Sequence, residues 1–247
     1  MSAPSPTESA PLAALRYAGR EVLDVLHRVS SNDLATLPEG GSRVTLFCDF
    51  RGRLLHRALV VRTPDGAWLV SDSPGDALAA FMDARVFRED VRLAEGPLPV
   101  PAALAPLAAE AFGADEVARI TAGRPRFGRE VAEAFNPFEA GLAPEVHLAK
   151  GCFTGQETLQ RLVTYDSVRR ERVRFSGAGP VPGPQDVVAA GEVIGRLTSA
   201  AATAGGWIAL AIVKLAPLEA WAPLALTDGT ALAAPHRFAP ARPLGRP

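Results

Sequence analysis

The chain has 247 residues, 48% of them hydrophobic and 21% charged, with a formal net charge of −1 at neutral pH. That balance belongs to a folded globular protein and excludes a low-complexity or globally basic chain, so any RNA contact has to use a local patch. No apolar run reaches the eighteen or so residues of a membrane span, and two cysteines without CxxC spacing define neither a disulfide framework nor a metal site.

Residues 1–12 are small, polar and proline-rich, with neither the basic nor the apolar region of a signal peptide. They predict a disordered tail, bounded at residue 15, on a cytoplasmic protein. Val22, Val25, Leu26 and Val29 repeat at the spacing of an amphipathic helix within 19–30. Residues 42–47 alternate as a strand, a turn follows at 50–53, and 54–61 supply the returning strand. Thr63-Pro64-Asp65-Gly66 marks a second turn before a strand at 67–71. Pro74-Gly75-Asp76 opens a helix through Phe87, and 91–94 predict a fourth strand. This order describes an α+β lobe with an antiparallel sheet over 16–95.

Residues 95–106 hold four prolines without periodicity and read as a surface connection. A middle lobe, 96–166, carries helical pieces interrupted by Gly and Pro and is interleaved with the first. From 167 to 247 the pattern becomes short strands at 169–175, 187–188, 192–197, 207–213, 224–226 and 230–233. Their spacing indicates a small β-barrel or sandwich.

The most distinctive stretch is Lys150-Gly151-Cys152-Phe153-Thr154-Gly155-Gln156-Glu157, which sets one of two cysteines beside one of two lysines. Gly151 and Gly155 allow a tight backbone, and a helix predicted from Glu157 to Leu162 places Cys152 near a helix N-terminus. Amide dipoles and an adjacent ammonium both favour thiolate. The plain alternative is a small buried cysteine beside a snorkelling lysine.

This string resembles the K-G-C-[FY]-x-G-Q-E signature of the YgfZ family, folate-binding proteins of iron–sulfur cluster maintenance related to the glycine-cleavage T-protein, an aminomethyltransferase. Ile120-Thr121-Ala122-Gly123-Arg124-Pro125, Asn136-Pro137-Phe138-Glu139-Ala140-Gly141-Leu142, Ser31-Asn32-Asp33-Leu34 and Asp49-Phe50-Arg51-Gly52-Arg53 are similar to further segments of that family. The resemblance implies an α+β cloverleaf of lobes around a central folate cavity, closed by a C-terminal β-barrel. It also implies a tetrahydrofolate ligand, no resident metal, iron–sulfur enzymes or assembly factors as partners, and an indirect link to tRNA modification.

Under that resemblance Cys152 is the reactive thiolate and Lys150 the group that lowers its pKa, with Gln156 and Glu157 holding the loop. Arg119, Arg124 and Arg126, with Arg129, form a cluster able to receive the glutamate tail of a folate, and an ordinary solvated basic surface is the competing reading. Phe127 and Phe153 are candidates for packing on the pterin, although phenylalanine near glycine is more often core. Asp49 and Glu139 are candidates for its amino and ring N–H groups; a turn residue and a helix-start charge are their plain alternatives. A second run, Arg169, Arg170, Arg172 and Arg174, falls on a predicted strand where 170, 172 and 174 share a face; it reads as solvated, with an RNA or partner contact as the alternative. His56 and His147 lack metal-ligand spacing and are assigned no chemistry.

Two departures matter. Where the aminomethyltransferases carry a Gly-Gly-x-x-Asp-Asp stretch, this chain has Gly52-Arg53-Leu54-Leu55-His56-Arg57, without the acids. Where the T-protein has a folate-contacting glutamate, this chain has Thr121. A folate-dependent one-carbon transferase is therefore the second reading, and an adaptor with a vestigial cavity the third.

Overall fold

Strands whose successive side chains point to opposite faces, both of them covered, build the first half of the molecule. The computed structural model describes residues 11–220 and 222–245. Its elements begin with β1 (Ala13–Ala18), α1 (Val22–Val29), β2 (Ser42–Cys48), β3 (Leu54–Thr63), β4 (Gly66–Ser71), α2 (Gly75–Asp83) and β5 (Arg92–Pro99). The five strands form one sheet in the order β2-β3-β4-β1-β5, every neighbouring pair antiparallel. Ala58, Val60 and Leu69 face α1 and α2, whereas Leu59, Val61 and Val70 face the opposite side. Both faces are covered, which is why β3 reads as a nearly continuous apolar run.

Two expectations are corrected here. The tail was bounded at residue 15, but β1 begins at Ala13, and Ala14 and Leu15 are fully buried between β4 and β5. Residues 1–10 of that expected tail lie outside the described residues. The proline-rich 95–106 segment is not wholly a connection: β5 runs to Pro99, and a 3-10 turn at Ala102–Leu104 leads into α3 (Ala105–Phe112). Proline is tolerated there because β5 is an edge strand.

The middle of the chain holds α4 (Glu116–Thr121) and α5 (Gln156–Thr164), joined by turns. Phe135, Leu142, Val146, Phe153 and Leu159 pack there against Leu46 and Leu54 of the first sheet and Ile212 of the next. Next come β6 (Arg170–Gly177), β7 (Gln185–Ala189), β8 (Glu192–Thr203), β9 (Gly206–Lys214), α6 (Leu215–Glu219), β10 (Leu224–Leu226), β11 (Ala231–Leu232) and β12 (His236–Arg237). These strands form an antiparallel sheet ordered β11-β10-β7-β8-β9-β6-β12, curled so that β11 approaches β6. Val173, Phe175, Val187, Leu197 and Trp207 fill its concave side.

Candidate functional site

A cleft of about 430 Å3 opens between the first sheet, the α4 loop and β6. Its polar walls are Arg43, Arg57, Arg124, Arg172, Glu110 and Glu145; Val44, Leu59, Leu107 and Leu142 supply apolar surface. Arg57 is nearly buried, and its Nε and Nη2 donate to both Glu145 oxygens at 2.5–3.1 Å. Its Nη1 donates to the Ala111 carbonyl, and its guanidinium stacks 4.9 Å from the Phe112 ring centroid. The Arg57 guanidinium is therefore neutralised by a carboxylate from 88 residues away.

Arg124 and Arg172 differ from Arg57, because among the described residues neither has a carboxylate within 4.0 Å. Arg124 Nη1 reaches only the Ala109 carbonyl, at 3.4 Å. Arg172 Nη1 donates to the Ala140 carbonyl, while its Nε is buried without a hydrogen-bond partner among the described residues. Burial pushes the Arg172 pKa down to about 10, a sign that its charge is poorly compensated. The expectation of a solvated Arg172 is thus corrected: β6 turns 172 and 174 toward one side, where Phe238 covers them.

The predicted arginine cluster divides. Arg119 is fully buried on α4, donating to Glu116 and Glu130 and to the Arg124 carbonyl, and offers nothing to a ligand. Glu130 is also fully buried and accepts from the Thr198 and Ser199 hydroxyls of β8, so this ion pair ties α4 to the second sheet. Arg129 pairs with Glu116 at 2.7 Å, and Arg126 lies near Glu116 and Asp72 with its Nε and Nη1 buried and, among the described residues, without a hydrogen-bond partner. Burial raises the Asp72 pKa, against the pull of Arg57 and Arg126. Of the four arginines, only Arg124 lines the cleft.

The other predicted contacts lie outside it. Asp49 Oδ1 accepts from the Arg51 and Arg53 amides and closes the β2–β3 turn. Glu139 accepts from the Asn136 amide, whose side chain returns the bond to the Glu139 amide. Phe153 is core, and Phe127 stacks on His56 with ring centroids 5.9 Å apart. His56 turns into the core, bonded to Ser73 Oγ at 3.0 Å; burial and Arg85 lower its pKa to about 4. Thr121 is exposed, and its carbonyl accepts from Arg174.

The Lys150–Glu157 string forms a pinned loop. Its lysine has a different role from the one expected, because Nζ donates to the His27 carbonyl in the last turn of α1 and lies 5.2 Å from the Phe153 ring centroid. That carbonyl is one of the four a helix end leaves unpaired, and a cation there suits the dipole. His27 Nδ1 faces the Leu34 and Ala35 amides, which leaves the proton on Nε2 to be donated to the Lys150 carbonyl at 2.9 Å. Burial pushes the Lys150 pKa down to about 8, with Asp33 opposing. Gln156 Nε2 donates to the Leu148 carbonyl, whereas Glu157 is exposed and pairs with Arg161. Gly155 has φ +85°, and a Cβ there would stand 2.5 Å from the Asp49 carbonyl oxygen. Only glycine lets this loop lie on the β2–β3 turn. Cys152 is exposed, with Phe153, Thr154 and Gly155 between it and α5, so it stands outside the first helical turn.

Sequence reasoning did not place Arg43, Glu110 or Glu145 in a site, and it named Arg57 and Arg172 without assigning them to the cleft. Arg57 meets Glu145 across 88 residues and Arg172 meets Ala140 across 32, so no spacing signal marks them.

The fold is that of an aminomethyltransferase T. The glycine cleavage system aminomethyltransferase T from Bartonella henselae superposes with a TM-score of 0.74 at 17% identity, over 94% of this chain and 84% of that one. By sequence, a chloroplastic protein of Arabidopsis thaliana named as a transferase is 29% identical over 74% of this chain and 37% of its own length. The aminomethyltransferase of Moorella thermoacetica is 41% identical over 41% of this chain and 29% of its own length, and that of Streptomyces coelicolor 38% over 38% and 27%. The chain thus spans well under half the length of the curated relatives it matches. No protein-family model matches it. Among the described residues no helix is long and apolar enough to cross a membrane, and no three His, Cys, Asp or Glu side chains group as a metal set.

Proposed function

We propose that the protein is a folate-binding protein of the YgfZ type, assisting iron–sulfur cluster assembly or repair, including for tRNA-modifying enzymes. Tetrahydrofolate occupies the cleft in this reading. The observation that carries it is the pair Arg124 and Arg172, which face one cavity without a carboxylate partner among the described residues. A folate tail offers carboxylates, and guanidinium forks match them. The apolar side chains Val44, Leu59 and Leu142 suit a flat ring, and Glu110 and Glu145 can accept from pterin N–H groups. The residues present therefore fit the ligand, which when bound supplies a reduced pterin able to carry one-carbon units. Arg57 holds Glu145 in place, and Cys152 stays exposed to meet a partner or an oxidised species. The cloverleaf arrangement and cytoplasmic location belong to the same proposal.

Relatives named as aminomethyltransferases favour the transferase as the second reading. Against it, His56 faces Phe81 and Phe127, and Arg57 is paired with Glu145, so that stretch of β3 offers no carboxylate to the cleft. The test is complementation of a strain lacking the gene, read as the activity of its iron–sulfur enzymes. Wild type restores activity, and Cys152→Ala and Arg172→Gln do not. Full restoration by both variants sinks the proposal, and turnover of an aminomethyl donor revives the transferase.

A further inference from the structure

The last described residues cross from the cleft wall to the base of the Cys152 loop. His236 and Arg237 pair with Arg174 and Val173 on the free edge of β6. The Phe238 ring then stands on Gly123, where a Cβ would meet it at 2.5 Å. The guanidinium of Arg172 lies 4.5 Å from the ring centroid and that of Arg174 6.0 Å. Gly123 and Arg172 both line the cleft, so Phe238 backs its wall. Pro240 and Pro243 stiffen the next residues. Leu244 finally pairs with the chain beside His147: its amide donates to the Val146 carbonyl at 2.7 Å, and its carbonyl accepts the Leu148 amide at 2.9 Å. Leu148 is thus held by Leu244 on one side and by Gln156 on the other, two residues before the Lys150–His27 contact.

We infer that residues 236–245 form a strap through which the cleft controls the Cys152 loop. An anion entering the cleft draws the Arg172 guanidinium inward, off the face of Phe238. Phe238 loses the nearer of its two cations and keeps only the distant Arg174, the Leu244 pairing opens more often, and the loop from Leu148 to Cys152 gains freedom. Empty, the cleft keeps the loop pinned; filled, it releases the loop to engage a partner. The ligand-dependent half rests on the folate reading above, whereas the mechanical half does not.

The experiment is hydrogen exchange on the full chain, with and without saturating tetrahydrofolate, resolved at Leu148 and Leu244. Exchange at both amides is expected to rise about tenfold with ligand, while the β8–β9 core stays protected. Arg172→Gln, which takes the nearer cation from the ring, is expected to give the same rise without ligand and to abolish the ligand-dependent increment. Leu244→Pro, which deletes the amide bonded to Val146, serves as the positive control for an open strap. If calorimetry shows tetrahydrofolate bound while wild-type Leu148 and Leu244 are unchanged, the strap is passive and the inference is overturned. If tetrahydrofolate does not bind, the folate reading fails separately, and Arg172→Gln still decides the strap: unchanged exchange at Leu148 overturns it.

Discussion

Glu145→Gln isolates the charge pair that shapes the cleft without changing side-chain size. Arg57 and Glu145 have side-chain exposures of only 5% and 16%, with three N–O contacts of 2.5, 2.9 and 3.1 Å. Removing one charge from such a buried pair costs about 3–5 kcal/mol, because the remaining ion is left uncompensated. Arg57 retains the Ala111 carbonyl and the Phe112 face, so the low end applies, about 3 kcal/mol. In a chain of this size that lowers Tm by about 6–12 °C. Urea unfolding is the assay, with an unchanged m-value as the check that both states are comparable. Arg57→Met/Glu145→Gln, which removes the stranded cation, is expected to recover about 2 kcal/mol relative to the sum of the single variants. A loss under about 1 kcal/mol, with additive single variants, would refute the reasoning and mean that the pair is effectively solvated.

Three further outcomes are expected. His56 has a pKa of about 4 in the folded chain against 6.5 in the unfolded one, so the unfolded state takes up the proton first as pH falls. Stability should fall between about pH 6.5 and 4 by about 2 kcal/mol, after allowance for partial solvent access, and His56→Asn should remove that slope in pH-dependent urea melts. Lys150 acts in the same sense at higher pH: its pKa of about 8 lies below 10.5, so stability should rise between about pH 8 and 10.5, a rise absent from Lys150→Met. Gly155→Ala forces a Cβ against the Asp49 carbonyl at positive φ and is expected to cost about 2 kcal/mol; a change under about 0.5 kcal/mol would show that the turn yields.

How far the sequence could be read depends on whether the physics is local. The apolar spacing of Val22, Val25, Leu26 and Val29 predicts α1 because those four residues alone bury its face. β2 follows from alternation, and β3 and β4 from apolar runs bounded by turn residues such as Asp49 and Gly52, whose bonds close within five residues. β1 escapes because its pattern is short and sits beside a proline-rich tail; only pairing with β4 and β5 makes it a strand. The site divides in the same way. Gly155 and Gln156 mark a tight turn into α5 that residue type and order alone make legible. Arg57 and Glu145, Arg119 and Glu130, and Arg172 and Phe238 meet through tertiary packing, so residue type alone could not separate a buried ion pair from a ligand contact. Arg119 and Arg124 sit five residues apart with similar surroundings in sequence, yet one is sealed among carboxylates and the other lines the cleft.

The central claim is that the cleft takes a folate through Arg124 and Arg172, separately from Cys152. Calorimetric titration with tetrahydrofolate tests it most directly, run on wild type, Cys152→Ala and Arg172→Gln. The account predicts saturable binding of one ligand per chain by wild type and Cys152→Ala alike, and about tenfold or greater weakening in Arg172→Gln. Absence of binding by wild type at millimolar ligand, or equal affinity in Arg172→Gln, would contradict it.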